Sequence, residues 1–233
     1  MTFEPSLVPA RLRRRYKRFF ADMTLDDGRE VVAHCPNPGA MLGLLNEGAR
    51  CWLSPSTNPK RKLAWTWELV DADGGLVGLN TGRPNALVAD AIRDGTMPEL
   101  AGYGELRREV KYGKNSRIDI LLREPGRPDC YVEVKNVHLR REAGLAEFPD
   151  SVTARGAKHL AELADMVTAG HRAVMCFLIQ RADCDRLALA GDIDPAYARA
   201  FAAATAAGVE TVAYGCHITH EAIAVDRRMS FAG

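Results

Sequence analysis

The sequence predicts an α+β protein of two domains, a β-rich unit over 1–83 and a mixed sheet covered by helices over 84–233. Three observations lead there. Short apolar runs separated by Gly, Asp and Pro turns fill the first 80 or so residues, the pattern of a small barrel or sandwich. Helical periodicity first enters at Pro84. Beyond it, helical stretches alternate with β-branched runs, which implies a mixed sheet with helices against it.

In the first unit the strands are read in FFADMTL, EVVAHC, ARCWLS, LAWTWELV and GLVGLN, with DDG and DADGG as hairpin turns. In the second, Pro84 opens a helix through NALVADAIRDG that ends near Gly95. A strand follows at 106–112, then a hairpin over 116–137. A helix begins near Asp150 or Ser151, carries Leu160, Leu163 and Val167 at helical spacing, and stops at Gly170. RAVMCFLI is a buried strand by its unbroken apolar run. Asp194 caps a helix that starts with Pro195 and ends before Gly208, and VETVAY and EAIAVD close the chain as strands.

The hairpin, SRIDILLREPGRPDCYVEVKNV, puts charge where a core strand is expected. Alternation sets Ile118, Ile120 and Leu122 on one face and Arg117, Asp119 and Leu121 on the other; Tyr131, Glu133 and Lys135 share a face of the second strand. A turn centred near Gly126 places Asp119 opposite Glu133 and Arg117 opposite Lys135. Like charges so opposed destabilise a sheet. Two resolutions follow from the residues alone. One is a solvated salt-bridge quartet, Arg117 with Glu133 and Asp119 with Lys135. The other is a divalent cation between Asp119 and Glu133 with Lys135 beside it, because hard cations take carboxylate oxygens, water and phosphate. On the following helix Arg155, His159 and Glu162 share a face, with Lys158 adjacent; a helix packed beside the hairpin lets Arg155, Lys158 or His159 reach toward that spot, and the alternative is a polar surface face.

With 31 Lys+Arg against 30 Asp+Glu, any nucleic-acid surface must be a local patch. Two basic stretches qualify. RLRRRYKRFF holds Arg13, Arg14, Arg15, Lys17 and Arg18 beside Tyr16, Phe19 and Phe20, and NPKRKLAWTW holds Lys60, Arg61 and Lys62 before Trp65 and Trp67. Positive charge follows a phosphate backbone and rings stack on bases; the alternative for the tryptophans is simple core packing. Six scattered cysteines without a C-x-x-C pair read as buried free thiols. No signal peptide and no membrane span are evident, so the expected location is the cytoplasm and no membrane partner is expected. A phosphate-cradling Gly-rich loop is also absent.

The stretches HCPNPGAM, NPKRK followed by WTWEL, LNTGRPNAL, REVKYG, SRIDILL, YVEVKNVHL and FPDSVTARGAKHL occur in this order. Together they closely resemble the bacterial SfsA (sugar fermentation stimulation protein A) family, over about residues 12–225. The resemblance implies an N-terminal OB-fold-like barrel that binds nucleic acid and a C-terminal domain of the PD-(D/E)XK nuclease type. By it, Asp119 and Glu133 stand as acidic ligands of Mg²⁺ (or Mn²⁺) with the Val134 carbonyl, Lys135 as the motif lysine, Glu109 as an upstream glutamate, and His159 on the helix that often adds a catalytic group. Arg117, Arg155 and Lys158 join the basic stretches as DNA contacts. Two departures stand out: Ile118 replaces the motif proline, and the helix offers no glutamine. The implied function is a DNA-binding protein, for single- or double-stranded DNA, with a metal-dependent deoxyribonuclease site. The alternative is a non-catalytic DNA-binding regulator of sugar (maltose) metabolism. Oligomeric state is left open, a homodimer included.

Overall fold

Six strands form in the first 78 residues: β1 (Val8–Tyr16), β2 (Phe20–Leu25), β3 (Glu30–His34), β4 (Arg50–Pro55), β5 (Trp65–Ala72) and β6 (Gly75–Gly78). The structure, a computed structural model, describes residues 1–113 and 116–232. The strands run in the order β3-β2-β1-β4-β5-β6, and a parallel β3–β5 pairing at Ala33–Trp65 and His34–Thr66 closes five of them into a barrel. The interior is filled by alternate residues such as Leu12, Met23, Leu53 and Trp67. Trp67 is fully buried and its indole N–H donates to the Leu69 carbonyl, while Trp65 packs on the core margin. The tryptophans are therefore core, the bland one of the two readings. The β5–β6 turn needs left-handed backbone at two successive residues, met by Asp73 (φ 57°) and Gly74 (φ 82°).

β1 was not foreseen as a strand, because its like charges looked self-repelling. The fold disperses them. Arg14 pairs with Asp22 at 2.7 Å, and Arg13 lies within about 4.0 Å of Glu30 and Glu47. The Arg15 guanidinium donates to the Asn37 and Gly39 carbonyls and so pins the HCPNPGAM loop.

Past α1 (Pro84–Arg93) come β7 (Glu105–Tyr112), β8 (Ser116–Arg123), β9 (Cys130–Val137), β10 (Leu139–Glu142) and β11 (Gly144–Phe148). They are followed by α2 (Ala154–Thr168), β12 (Arg172–Ile179), β13 (Cys184–Leu189), α3 (Pro195–Ala206), β14 (Glu210–Ile218), β15 (Ile223–Arg228) and β16 (Ser230–Phe231). The main sheet is mixed, in the order β15-β14-β12-β9-β8-β7, with β12 parallel to both β9 and β14. One face packs on α1 and on barrel residues Trp52 and Leu69. The other packs on α2, α3 and a second sheet, β10-β11-β13-β16. None of those four short strands was anticipated.

α2 starts at Ala154, later than expected, because Thr153 is its cap and Asp150 is spent on the Met41 N–H. The first residues cross to the second unit: Thr2 bridges Ala222 and Phe3 joins the core beside α1. All six cysteines are buried and free. Among the described residues no helix is long and apolar enough to cross a membrane.

Asp194 holds two helix starts together. Its carboxylate accepts from the Tyr197 N–H at the head of α3 (2.9 Å) and from Thr153 N–H before α2 (2.7 Å). Replacing it by Ala removes a cap and strands a second donor, a loss of about 2–4 kcal/mol. Urea unfolding followed by far-UV circular dichroism checks this; a loss under about 0.5 kcal/mol contradicts the account.

Candidate active site

β9 lies in the middle of the main sheet and β8 pairs with it only briefly. Ile120–Val132, Leu121–Tyr131 and Leu122–Cys130 are the paired residues, the register expected from a turn near Gly126. The next step of that register would oppose Asp119 to Glu133. There the strands part. The Asp119 carboxylate replaces the missing ladder bond, its Oδ2 accepting from the Val134 N–H at 2.7 Å. Arg117, past the end of the ladder, is exposed and pairs across β7 with Lys111, so it does not face Lys135. The Arg117–Glu133 and Asp119–Lys135 quartet is thereby excluded.

The strict alternation expected of β8 also fails at Asp119. Ile120 and Leu122 enter the core beside α1, whereas Ile118 and Leu121 enter the core beside α2. β7 switches faces at the same level, with Leu106 on the α1 side and Val110 and Tyr112 on the α2 side. The cause sits at Glu109, whose φ of 56° is left-handed. For a residue with a Cβ that conformation costs about 1 kcal/mol and collects at functional sites. Glu109 is flanked by the pairs Arg108–Ile120 and Val110–Ile118 and so stands at the level of Asp119. Asn85 of α1 joins them: its amide nitrogen donates to Glu109 Oε1 at 2.7 Å and to Asp119 Oδ1 at 2.9 Å.

Glu133 is 2% exposed. One oxygen, Oε1, takes the Lys135 ammonium at 2.7 Å and the Nδ1–H of His159. Arg155 donates to His159 Nε2, which leaves the ring proton on Nδ1. The other oxygen, Oε2, is buried without a partner among the described residues. So is the Tyr112 hydroxyl, and both oxygens of Glu162 lack a hydrogen bond among the same residues, although the Lys158 ammonium stands 3.6 Å from Oε1. Burial and then the Glu133 charge push Asp119 up to about 6, although the Val134 N–H and Asn85 work the other way. Burial also opposes ionisation of Glu133, but His159 and Lys135 outweigh it and hold its pKa below the usual range. Burial, then Glu133, Glu162 and Asp119, pushes the Tyr112 phenol up.

Asp119, Glu133, Val134, Lys135, Glu109 and His159 thus meet at one end of β7–β9 and the start of α2. The expected basic residues scatter. Arg155 and Lys158 stay at the site's edge, Lys158 3.6 Å from Glu162. Lys17 and Arg18 form the β1–β2 turn and Lys60, Arg61 and Lys62 an exposed turn of the barrel. Arg13 and Arg14 line a groove of about 590 Å³ that they share with Asp22, Glu30 and Glu47, so its charge is mixed. Among the described residues no three His, Cys, Asp or Glu side chains converge as a complete cation cage. Asn85, in LNTGRPNAL, and Tyr112, in REVKYG, join the site without a spacing or charge signal in the sequence that marks them.

The two units define a class: an OB-fold barrel joined to a mixed-sheet α/β domain that gathers carboxylates at one end of its sheet. Residues 14–79 match the model of the SfsA N-terminal OB domain, and residues 82–222 match the sugar fermentation stimulation protein RE domain. The chain belongs to the sugar fermentation stimulation protein (SfsA) family. It is 60% identical over 231 residues to the sugar fermentation stimulation protein homolog of Dinoroseobacter shibae, covering 98% of this chain and 95% of that one. The homolog of Rhodospirillum centenum is 59% identical over 229 residues, covering 98% of both. Among solved structures, Pyrococcus furiosus SfsA in complex with Ca²⁺ superposes with a TM-score of 0.89 at 26% identity, over 100% of this chain and 98% of that one.

The raised Asp119 pKa has a signed consequence. The folded state holds the proton up to about pH 6, the unfolded state only to about 3.8, so ionisation opposes folding. Stability from this group is present below pH 4 and lost as pH rises through 6. In EDTA, Asp119→Asn therefore gains on the wild type by about 2–3 kcal/mol between pH 4 and pH 7. Denaturant titrations at several pH values read the difference; a gap that is flat with pH contradicts the burial argument.

Proposed function

We propose that the protein binds DNA and hydrolyses its phosphodiester bonds with a divalent cation, Mg²⁺ or Mn²⁺, held by Asp119, Glu133 and the Val134 carbonyl. The observation that carries this reading is the orphaned Glu133 Oε2 beside a second, half-buried carboxylate, Asp119. An unpartnered buried oxygen on a charged group costs about 1–3 kcal/mol or more. The donor set is all oxygen, as a hard cation requires, and Mg²⁺ commonly uses one or two carboxylates with water and substrate completing its shell. The Ca²⁺ bound by Pyrococcus furiosus SfsA supports a hard-cation site in this family.

When bound, such an ion supplies charge neutralisation at phosphate and an activated water. The chain's own groups do the rest. Lys135, half-buried and anchored on Glu133 Oε1, keeps N–H donors for a phosphate oxygen, where they stabilise negative charge as it develops. His159 holds Glu133 from behind through Nδ1–H and leaves Oε2 turned away from that bond. The Val134 N–H favours the ionised form of Asp119 and offsets part of its burial. Residues 1–83 serve as the nucleic-acid-holding domain and 84–233 as the hydrolytic one, with Lys17, Arg18, Lys60, Arg61, Lys62, Arg117, Arg155 and Lys158 contributing phosphate contacts.

Incubation with single- and double-stranded DNA in Mg²⁺ or Mn²⁺ tests the proposal. Cleavage is expected, and Asp119→Ala or Lys135→Ala each lowers it by about 10²-fold or more. Equal cleavage by Asp119→Ala, or none by the wild type on any substrate, overturns the nuclease reading. DNA binding without cleavage leaves the regulator as the surviving alternative. Binding itself has a salt signature: log K falls with log salt by about 0.7–0.9 per neutralised phosphate, and a Lys60, Arg61, Lys62 triple alanine variant flattens that slope by about 1–3. An unchanged slope removes this turn from the DNA surface.

A further inference from the structure

We infer that Asn85 is a positioning residue that sets the Glu109 and Asp119 carboxylates for the cation and ties that setting to the barrel. This rests on the proposed cation site and deepens it. The amide group is the first observation. Both Asn85 N–H bonds are used, one on Glu109 Oε1 (2.7 Å) and one on Asp119 Oδ1 (2.9 Å). Reversing the amide would aim its oxygen at two carboxylates, so the donor assignment is forced by charge.

The backbone is the second. Glu109 reaches the amide from a left-handed conformation, at the level where both β7 and β8 exchange faces. The β7–β8 ladder is interrupted there, between Arg108–Ile120 and Val110–Ile118. A strained glutamate and a strand-face switch that both end on one amide indicate a held geometry rather than a chance surface contact.

The third is what lies behind Asn85. It follows directly on Arg83 and Pro84 at the head of α1. Arg83 grips the barrel residue Glu68 through both carboxylate oxygens (2.8 and 3.3 Å). Glu68 is 3% exposed and also accepts from Ser54 and Asn80. The LNTGRPN segment is therefore a short rigid strut, with a buried barrel carboxylate at one end and the Asp119 carboxylate at the other. Residues that orient a ligand in this way commonly change metal affinity 10–100-fold when removed.

The test is Mn²⁺ binding, read by electron paramagnetic resonance of the free ion, on the full chain without DNA. Asn85→Ala should weaken binding about tenfold, while its melting temperature in EDTA stays close to the wild type's. Asn85→Asp should do the reverse on both counts: the apo protein melts earlier, because three carboxylates now crowd together, and Mn²⁺ restores more stability than it gives the wild type. A purely structural role would lower melting equally with and without Mn²⁺. Affinities within twofold of wild type for both variants overturn the inference while leaving the cation site intact. A wild type that binds no Mn²⁺, or binds it as well after Asp119→Ala, overturns the site and the inference together.

Discussion

A buried carboxylate, Glu133, and a half-buried one, Asp119, stand together at the point where β8 and β9 separate, and their surroundings are arranged around that conflict. The Glu133 charge adds to burial in raising the cost of ionising Asp119, and the surroundings answer the two carboxylates unequally. Glu133 receives an ammonium and an imidazole N–H on one oxygen; Asp119 receives a backbone N–H and an amide. The compensation stops one acceptor short, at Glu133 Oε2. A fold selected for stability alone would fill that position with an apolar residue or another donor. Under the proposed function, a cation would supply the partner that this oxygen lacks.

The barrel is fixed to this sheet by more than packing. The β6 backbone runs so close to the end of β12 that a Cβ at Gly78 would stand 2.9 Å from Gln180 Oε1. His138 contacts the Gly78 carbonyl at 2.6 Å, and burial holds its pKa down at about 4. Arg181, almost fully buried, binds Asp183, the His138 carbonyl and Asp73 of the β5–β6 turn. These contacts and the Glu68–Arg83 pair leave the barrel little freedom to drift away from the carboxylates. Under the proposed function, a substrate held by the barrel would meet the carboxylates at a set distance and angle, the entropic advantage of a rigid scaffold.

The parts legible in the sequence were those set by local chemistry. Pro84, Pro195 and Asp194 marked helix starts, Gly74 a tight turn, the β-branched run of β9 a strand, and the unbroken apolar run of β12 a buried strand. The β8–β9 register followed from turn position alone, and with it the approach of Asp119 to Glu133. What stayed hidden depends on partners distant in the chain. β10, β11, β13 and β16 are short, and they exist because β11 pairs with β10 and β13, and β13 with β16. β1 is a strand because Asp22, Glu30 and Glu47 neutralise arginines that would otherwise repel. The face switch at Asp119 was illegible because period-two alternation has no signal for one left-handed residue on the neighbouring strand.

Anomalous diffraction at the manganese edge, from a crystal grown above pH 7 with Mn²⁺, tests the central claim most directly. The account predicts a peak within coordinating distance of one Asp119 oxygen and of Glu133 Oε2. No density there at saturating Mn²⁺, with the Glu133 oxygen still buried and unpartnered, would contradict it.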